Sequence, residues 1–152
     1  MIDTSRSIFW KEIFEQPKAV ADCLAANREI CRQIAQEVRE RNIKTAVLVG
    51  RGRYLLETKC GMVTSIGAPS VVTAYKSAPD YSNVLMIGVS QSGAAEDLYQ
   101  VMRSCDEQGG VCVSVTNTEG SRMTQAGKYQ INNHCGPERS ITAGKSYLTQ
   151  VT

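Results

Sequence analysis

The fold class is decided by the stretch Val84-Leu85-Met86-Ile87-Gly88-Val89-Ser90-Gln91-Ser92-Gly93. Its first six residues are almost continuously apolar, which is the pattern of a strand buried on both faces of a parallel sheet. The next four are small or polar, and a helical stretch from Ala94 to Glu107 follows them. A repeated strand, turn and helix of this kind builds an α/β sheet.

Two other stretches repeat the buried-strand pattern, Thr45–Val49 and Val111–Val115. Pro69–Thr73 and Tyr129–Ile131 are weaker strand candidates, and Ser121–Ala126 is a weaker helix candidate. The sequence therefore predicts a three-layer, doubly wound (flavodoxin-like) α/β domain with about five parallel strands.

The N-terminal part has a different pattern. From Pro17 to Arg41, apolar residues recur every three or four positions, which predicts one long amphipathic helix with Pro17 in its first turn. The preceding segment, Phe9–Gln16, carries four large apolar residues. It is interpreted either as a lead-in helix or hook that packs on another lobe or subunit, or as a staple on its own core. We divide the chain into a helical segment, 1–42, and a sheet domain, 43–152.

Composition limits the class of protein. The chain has 152 residues, 42% of them apolar and 21% charged, which suits one globular domain. We expect neither membrane insertion nor a secretory signal, and therefore a cytoplasmic protein. The net charge of +2 comes from scattered Lys and Arg, so we expect no nucleic-acid partner.

The six cysteines contain no C-x-x-C pair and are accompanied by one histidine, His134. Zinc and disulfide frameworks are therefore not expected, and the thiols are predicted to be mostly small buried apolar groups. We expect no metal and no cofactor.

The turn after the quoted strand is the best candidate binding site. In open parallel sheets, ligands bind beyond the carboxyl ends of the strands, and the next helix N-terminus attracts anions. Ser90, Gln91 and Ser92 offer two hydroxyls and an amide, and Gly93 allows the backbone to approach an anion closely. The alternative, that Ser90 or Ser92 only caps the helix, fits the spacing equally well.

Ser90-Gln91-Ser92-Gly93 resembles the phosphate-binding turn of the SIS (sugar isomerase) family, which includes glucosamine-6-phosphate synthase and aminosugar-phosphate deaminases. Lys11–Pro17 is similar to the opening segment of these modules, and Ala68–Thr73 resembles the second strand of the deaminase-like branch. Gly136–Ser140, followed by Lys145–Tyr147, resembles the Gly-Pro-Glu and Thr-Lys region of that branch. The ordered likeness covers nearly the whole chain.

The resemblance implies that Ser90, Gln91 and Ser92 hold a sugar phosphate and that Glu138 lies near the sugar. A surface carboxylate at a helix start is the simpler interpretation of Glu138, and Lys145 could face either the site or solvent. Ala95 stands where the family usually has Thr or Ser. The hydrogen bond lost there is worth about 1.5–3 kcal/mol if nothing replaces it.

A larger departure lies at Gly50-Arg51-Gly52-Arg53-Tyr54, where the family follows its glycine with Ser or Thr. Eleven residues, Arg51 to Gly61, separate the first strand from the next extended stretch, so the first crossover helix is predicted to be short. Gly52 and Arg53 are kept as candidate phosphate contacts. A guanidinium fork of Arg51 or Arg53 is one replacement for the missing hydroxyls, and a deletion that damaged the site is the other explanation.

In complete enzymes, the resemblance implies that a second lobe supplies the proton-moving glutamate and a ring-opening histidine. The catalytic residues here are therefore unknown, with Glu138, Glu96 and His134 as weak candidates. The leading hypothesis is an incomplete first lobe of an aminosugar-phosphate isomerase, deaminase or aminotransferase that binds fructose 6-phosphate or glucosamine 6-phosphate. Its expected partner is a second SIS lobe or another copy of the chain.

Three alternatives stay open. The chain could be an active homo-oligomeric isomerase with Glu138 or Glu96 as base, a sensing module without chemistry, or the product of a truncated reading frame. The last residues, Ser146–Thr152, are apolar-periodic and predict a helix at the end of the chain.

Overall fold

The computed structural model describes residues 7–49, 53–77, 79–140 and 144–152, and for residues 53–55 it describes the backbone. In chain order the elements are α1 (Ile8–Glu40), β1 (Thr45–Val49), α2 (Arg53–Cys60), β2 (Val63–Ile66), α3 (Pro69–Thr73), β3 (Val84–Val89), α4 (Glu96–Glu107), β4 (Val111–Thr116), a 3-10 helix (Arg122–Gln125), β5 (Tyr129–Asn132) and α5 (Lys145–Val151).

The five strands form one parallel sheet with the order β2-β1-β3-β4-β5. This confirms the predicted sheet. The order reverses at the β1/β3 pair, where Val49 lies beside Gly88. Ligands of doubly wound sheets bind beyond the carboxyl ends of the strands at such a switch point. The turn that follows β3 is therefore correctly placed for a binding site.

Both faces of the sheet are covered by helices. On one face, Ile30, Ile34 and Val38 of α1 pack on a cluster that includes Leu85 and Val113. On the other face, α4 contributes Val101, Met102 and Cys105 to a cluster built around Met86 and Val47. The strands are apolar on both sides because both sides are buried, and the predicted three-layer architecture is confirmed.

The prediction of a strand at Pro69–Thr73 was wrong, because this segment is α3. The strand beside β1 is β2, which pairs in register with residues 45–48. Pro69 suits the first turn of a helix, where no backbone N–H is needed, whereas it cannot donate to a strand ladder. The consecutive β-branched residues Val71 and Val72 favoured the strand interpretation. Pro69 is better accommodated in the first turn of a helix, which is what the structure shows.

The predicted start of the long helix was also wrong. α1 is continuous from Ile8 to Glu40, so Pro17 lies inside it rather than in its first turn. The helix begins at Ser7, whose Oγ accepts the Trp10 N–H at 3.0 Å. Ser7 is a good N-cap, and the apolar segment behind it joins the periodic pattern without a break. The lead-in segment is thus the first two turns of α1.

The cysteine prediction holds for four of the six residues. Cys23, Cys105, Cys112 and Cys135 are buried, whereas Cys31 and Cys60 are exposed. Among the described residues, no group of three or more His, Cys, Asp or Glu side chains could hold a metal ion. None of the helices in this part of the chain combines the length and the apolar character needed to span a bilayer.

Candidate phosphate site

The turn between β3 and α4 lies at the carboxyl edge of the sheet. The Ser90 N–H donates to the Val115 carbonyl at 3.0 Å, which ties the turn to β4. The Ser90 Oγ accepts the Gly93 N–H at 3.2 Å, and the Ser92 Oγ accepts the Ala94 N–H at 3.4 Å. Both hydroxyls therefore close the turn on itself.

Neither serine caps α4. The N-cap residue is Ala95, and it makes no side-chain capping hydrogen bond. The capping alternative is thus not what the turn adopts, and Ala95 stands where the family resemblance implies a hydroxyl. The helix N-terminus keeps its positive end without a side-chain oxygen from the N-cap position.

Gly93 is the residue that the turn cannot replace. It is buried, with φ at +63°, and a Cβ added there would lie 2.1 Å from the Ser121 Oγ and 2.9 Å from the Thr116 Oγ1. The Ser121 Oγ is itself buried and has no hydrogen-bond partner among the described residues. The turn therefore packs directly against the segment after β4, and only glycine fits between them.

Gln91 contacts the sheet through its backbone and exposes its side chain. Its carbonyl accepts the Asn117 N–H at 3.0 Å and the Thr116 Oγ1–H at 3.1 Å, so its backbone is fixed by the end of β4. Its exposed side chain extends from the turn, and its Nε2 donates to the Glu138 Oε2 at 2.7 Å. The structure thus brings together two predicted site residues that are far apart in sequence.

Glu138 links this turn to the C-terminal helix. Its Oε1 accepts the backbone N–H groups of Lys145 at 2.7 Å and Ser146 at 3.2 Å. These N–H groups belong to the first turn of α5, so the Glu138 carboxylate caps a helix that begins seven residues later. Its other oxygen nevertheless contacts Gln91, so Glu138 also lies beside the candidate site.

The segment around Glu138 is held from behind by α1. The Lys145 side chain is 3% exposed, and its Nζ donates to the Glu15 Oε2 at 2.5 Å. Buried Glu12 accepts the Arg139 N–H at 2.7 Å and the Ser140 Oγ–H at 2.5 Å. The hydrogen bond from the Arg139 backbone, followed by that from Ser140, lowers the pKa of Glu12. Lys145 therefore faces neither solvent nor the turn.

Glu96 is occupied by an ion pair. Its Oε2 lies 3.0 Å from the Nε of Arg122, whose guanidinium also lies over the Tyr99 ring at 4.1 Å from the centroid. The hydrogen bond from Arg122 lowers the pKa of Glu96 and keeps the carboxylate ionised. A general acid or base that works near neutral pH needs a raised carboxyl pKa, so this environment does not favour that role.

His134 lies in a different part of the same edge. It lines an open cavity of about 530 Å³ together with Asn117, Thr118, Glu119, Asn132, Gly136 and Pro137. The Ser90–Gly93 turn does not line this cavity. Asn117 joins the two regions, since its N–H donates to Gln91 and its Nδ2 donates to the Gly136 carbonyl at 2.8 Å.

Asn117 is the neighbour that sequence reasoning missed. It follows β4 directly, as Ser90 follows β3, and the rule that ligands meet strand ends applies equally to both. Of the other predicted contacts, Gly52 and Arg51 lie outside the described residues. Arg53 begins α2, but its side chain also lies outside them. Their phosphate contacts stay predictions.

Sequence comparison relates the chain to isomerizing glutamine–fructose-6-phosphate aminotransferases. The protein of Thermococcus kodakarensis is 29% identical over 151 residues, and that of Pyrococcus horikoshii is 32% identical over 151 residues. Each match covers 93% of this chain and 25% of the relative. No protein-family model matches the chain.

Solved structures agree. A crystal structure from Silicibacter pomeroyi, assigned as a phosphosugar isomerase, superposes with a TM-score of 0.89 at 28% identity. The match covers 95% of this chain and 47% of that protein. Over nearly its whole length the chain is therefore similar to domains of the SIS family.

The same architecture occurs in the C-terminal domain of glucosamine–fructose-6-phosphate aminotransferase from Francisella tularensis, with a TM-score of 0.76 at 22% identity. That match covers 95% of this chain and 44% of the other chain. This chain thus spans about a quarter of the length of the aminotransferases it matches and about half of the isomerase.

Proposed function

We propose that this chain is an SIS domain and that it binds the phosphate of a sugar 6-phosphate, fructose 6-phosphate or glucosamine 6-phosphate, at the Ser90–Gly93 turn. The observation that carries the proposal is the form of this turn. Its two hydroxyls close it on itself, its glycine has no room for a side chain, and the Gln91 amide is exposed. The matched aminotransferases act on fructose 6-phosphate by name, which supports the same class of ligand.

The chemistry of the turn suits a phosphate. The turn lies at the switch point of the sheet and before the N-terminus of a twelve-residue helix, so the helix dipole favours a negative charge there. Hydroxyl, amide and backbone donors can surround an anion without a lysine. The missing hydroxyl at Ala95 predicts weaker binding than a complete family turn would give.

The test is calorimetric titration of the whole chain with glucosamine 6-phosphate and fructose 6-phosphate, with glucosamine and fructose as unphosphorylated controls. We expect saturable binding that requires the phosphate. Ser90→Ala removes a turn hydroxyl and the acceptor of the Gly93 N–H, and it is expected to weaken binding about tenfold.

Ser104→Ala is the matched control for that variant. Its hydroxyl accepts a hydrogen bond from the Gln108 Nε2 at 3.3 Å near the far end of α4, so the same group is lost away from the turn. Equal affinity in a folded Ser90→Ala variant, the wild type and Ser104→Ala would refute the assignment of the turn.

The proposal includes a partner lobe. This chain covers 47% of the isomerase it matches, and the first turns of α1 expose apolar rings. Phe14 is 69% exposed and Trp10 is 43% exposed, and their ring centroids are 5.3 Å apart. Exposed clusters of this kind mark contact surfaces. We infer that this surface meets a second SIS lobe or, without one, another copy of the chain.

With two lobes, phosphate binding and proton transfer are assigned to different lobes. This lobe contributes the phosphate site, and the second lobe contributes the groups that move protons on an aminosugar or ketose phosphate. The ion pair of Glu96 and the position of His134 outside the turn favour this arrangement over catalysis by the chain alone. The choice among isomerase, deaminase and aminotransferase chemistry rests with the second lobe.

A further inference from the structure

Glu138 holds the side chain that the phosphate turn presents to a ligand. Its Oε2 accepts from the Gln91 Nε2 at 2.7 Å, while its Oε1 accepts from two backbone N–H groups of α5. The carboxylate is thus fixed at both oxygens. An anionic group of the protein already contacts the Gln91 amide before any ligand arrives.

The amide nitrogen of Gln91 carries two N–H groups, so a phosphate oxygen can either displace Glu138 or share the nitrogen with it. Sharing one nitrogen at ordinary hydrogen-bond lengths places the two acceptor oxygens about 5 Å apart. Displacement leaves the carboxylate close by, because α5 holds its other oxygen. In both cases the ligand binds beside a negative charge.

Neither Arg122 nor Lys145 is free to offset this charge, and the adjacent Arg139 is exposed. Arg122 pairs with Glu96 and lies over the Tyr99 ring. The Lys145 Nζ is buried and donates to Glu15 and to the Pro137 carbonyl. The contacts of Glu138 are instead made with neutral donors. Its repulsion of a phosphate is therefore reduced by solvent and by the exposed Arg139, not by these hydrogen bonds.

We propose that Glu138 is an internal competitor for the anion at the Ser90–Gly93 turn and lowers its affinity for phosphates. This inference rests on the proposed phosphate function of the turn. It is opposite in sign to the role that the family resemblance implies, because a carboxylate that only helps to hold the sugar would increase affinity. The sign of one substitution therefore separates the two roles.

The substitution is Glu138→Gln, in which an amide oxygen can still accept the N–H groups of α5. Inorganic phosphate and fructose 6-phosphate are titrated into the folded variant and the wild type at low and high salt. We expect both ligands to bind about tenfold more tightly to the variant at low salt, with a smaller gain at high salt. Weaker or unchanged affinity would overturn the proposal.

Two further variants support this test. Glu107→Gln removes the same charge at the far end of α4, where Glu107 pairs with Arg103, and it is expected to leave phosphate affinity unchanged. Glu138→Asp shortens the side chain and withdraws the charge from Gln91. It should give a smaller gain, and it keeps the test available if Glu138→Gln does not fold.

The outcomes also separate this inference from the proposed function. Phosphate binding to the wild type without a gain in Glu138→Gln and Glu138→Asp contradicts the competitor role and leaves the turn assignment intact. Binding that appears only in the Glu138 variants supports both. If neither the wild type nor the variants bind any phosphorylated ligand, the turn assignment fails and the competitor role fails with it.

Discussion

Gly93 sets the shape of the Ser90–Gly93 turn in two separable ways. Its backbone has φ at +63°, a conformation that costs other residues about 1–2 kcal/mol. Its Cα also faces Ser121, whose Cβ would lie 2.6 Å from an added methyl group. The second effect is the larger one, because Ser121 would have to move together with its backbone.

We therefore expect Gly93→Ala to lower the free energy of unfolding by about 2–4 kcal/mol and to abolish phosphate binding, because the turn must open. Gly120→Ala is the matched control, since Gly120 has φ at +65° with no atom within 4 Å of the added Cβ. Chemical denaturation of both variants checks this. If the two lose equal stability, contact with Ser121 plays no part.

For individual residues, the sequence predicts those features of the site that depend on neighbouring positions in the chain. Ser90 and Gly93 could be identified because a buried strand ends just before them and a helix follows. The bond between Gln91 and Glu138 joins residues 47 positions apart, so no local pattern contains it. The position of Lys145, between α1 and the segment after β5, depends on packing in the same way.

At the scale of elements, α1 is fixed to the edge of the sheet by Glu37. Its carboxylate accepts from the Lys128 Nζ at 2.8 Å, the Tyr129 hydroxyl at 2.5 Å and Arg41 at 3.3 Å. The hydrogen bonds from Lys128, Tyr129 and Arg41 lower the pKa of Glu37 from 4.5 to about 2. The ionised form is thus the one that holds helix and strand together.

Because folding depresses this pKa, the contribution of Glu37 is complete above pH 4.5 and is lost as the pH falls towards 2. Glu37→Gln should therefore reduce the free energy of unfolding by about 1 kcal/mol at pH 7, and the difference should shrink as the pH falls and vanish only below pH 2. Urea denaturation across this range checks it. Glu29→Gln, on the exposed side of α1, should leave the free energy of unfolding unchanged at both pH values. If Glu37→Gln lowers the free energy of unfolding by the same amount at every pH, the role of the Glu37 carboxylate is contradicted.

Elements were predicted well where burial and periodicity agree. β1, β3 and β4 are buried on both faces, and their nearly continuous apolar sequences predict this. α3 was mistaken for a strand because Val71 and Val72 are β-branched, although Pro69 favours a helix start. β2 was expected only as an extended stretch after Gly61 and was not given bounds, because only Thr64 of its four residues is buried and it lacks an apolar run.

At the scale of the whole molecule, the sequence predicts the layers but not the surfaces between lobes. Apolar runs alternating with amphipathic helices fix a three-layer sheet, since each face must be covered. The hook interpretation of Phe9–Gln16 left two partners open, its own core or another surface. Phe9, Trp10 and Phe14 all stay at least 40% exposed on this chain, which favours another surface.

The exposed rings at the start of α1 should mediate self-association. Without a second lobe, the chain should self-associate through α1, and Phe14→Ser should shift it towards monomer without lowering its thermal stability, because Phe14 is 69% exposed. Size-exclusion chromatography with light scattering over a range of concentrations measures the shift. Tyr75→Ser removes another ring, 80% exposed, away from α1 and should leave the assembly unchanged. A wild-type chain that is monomeric at every concentration would contradict self-association through α1. The α1 surface would then bind a second lobe that differs from this chain.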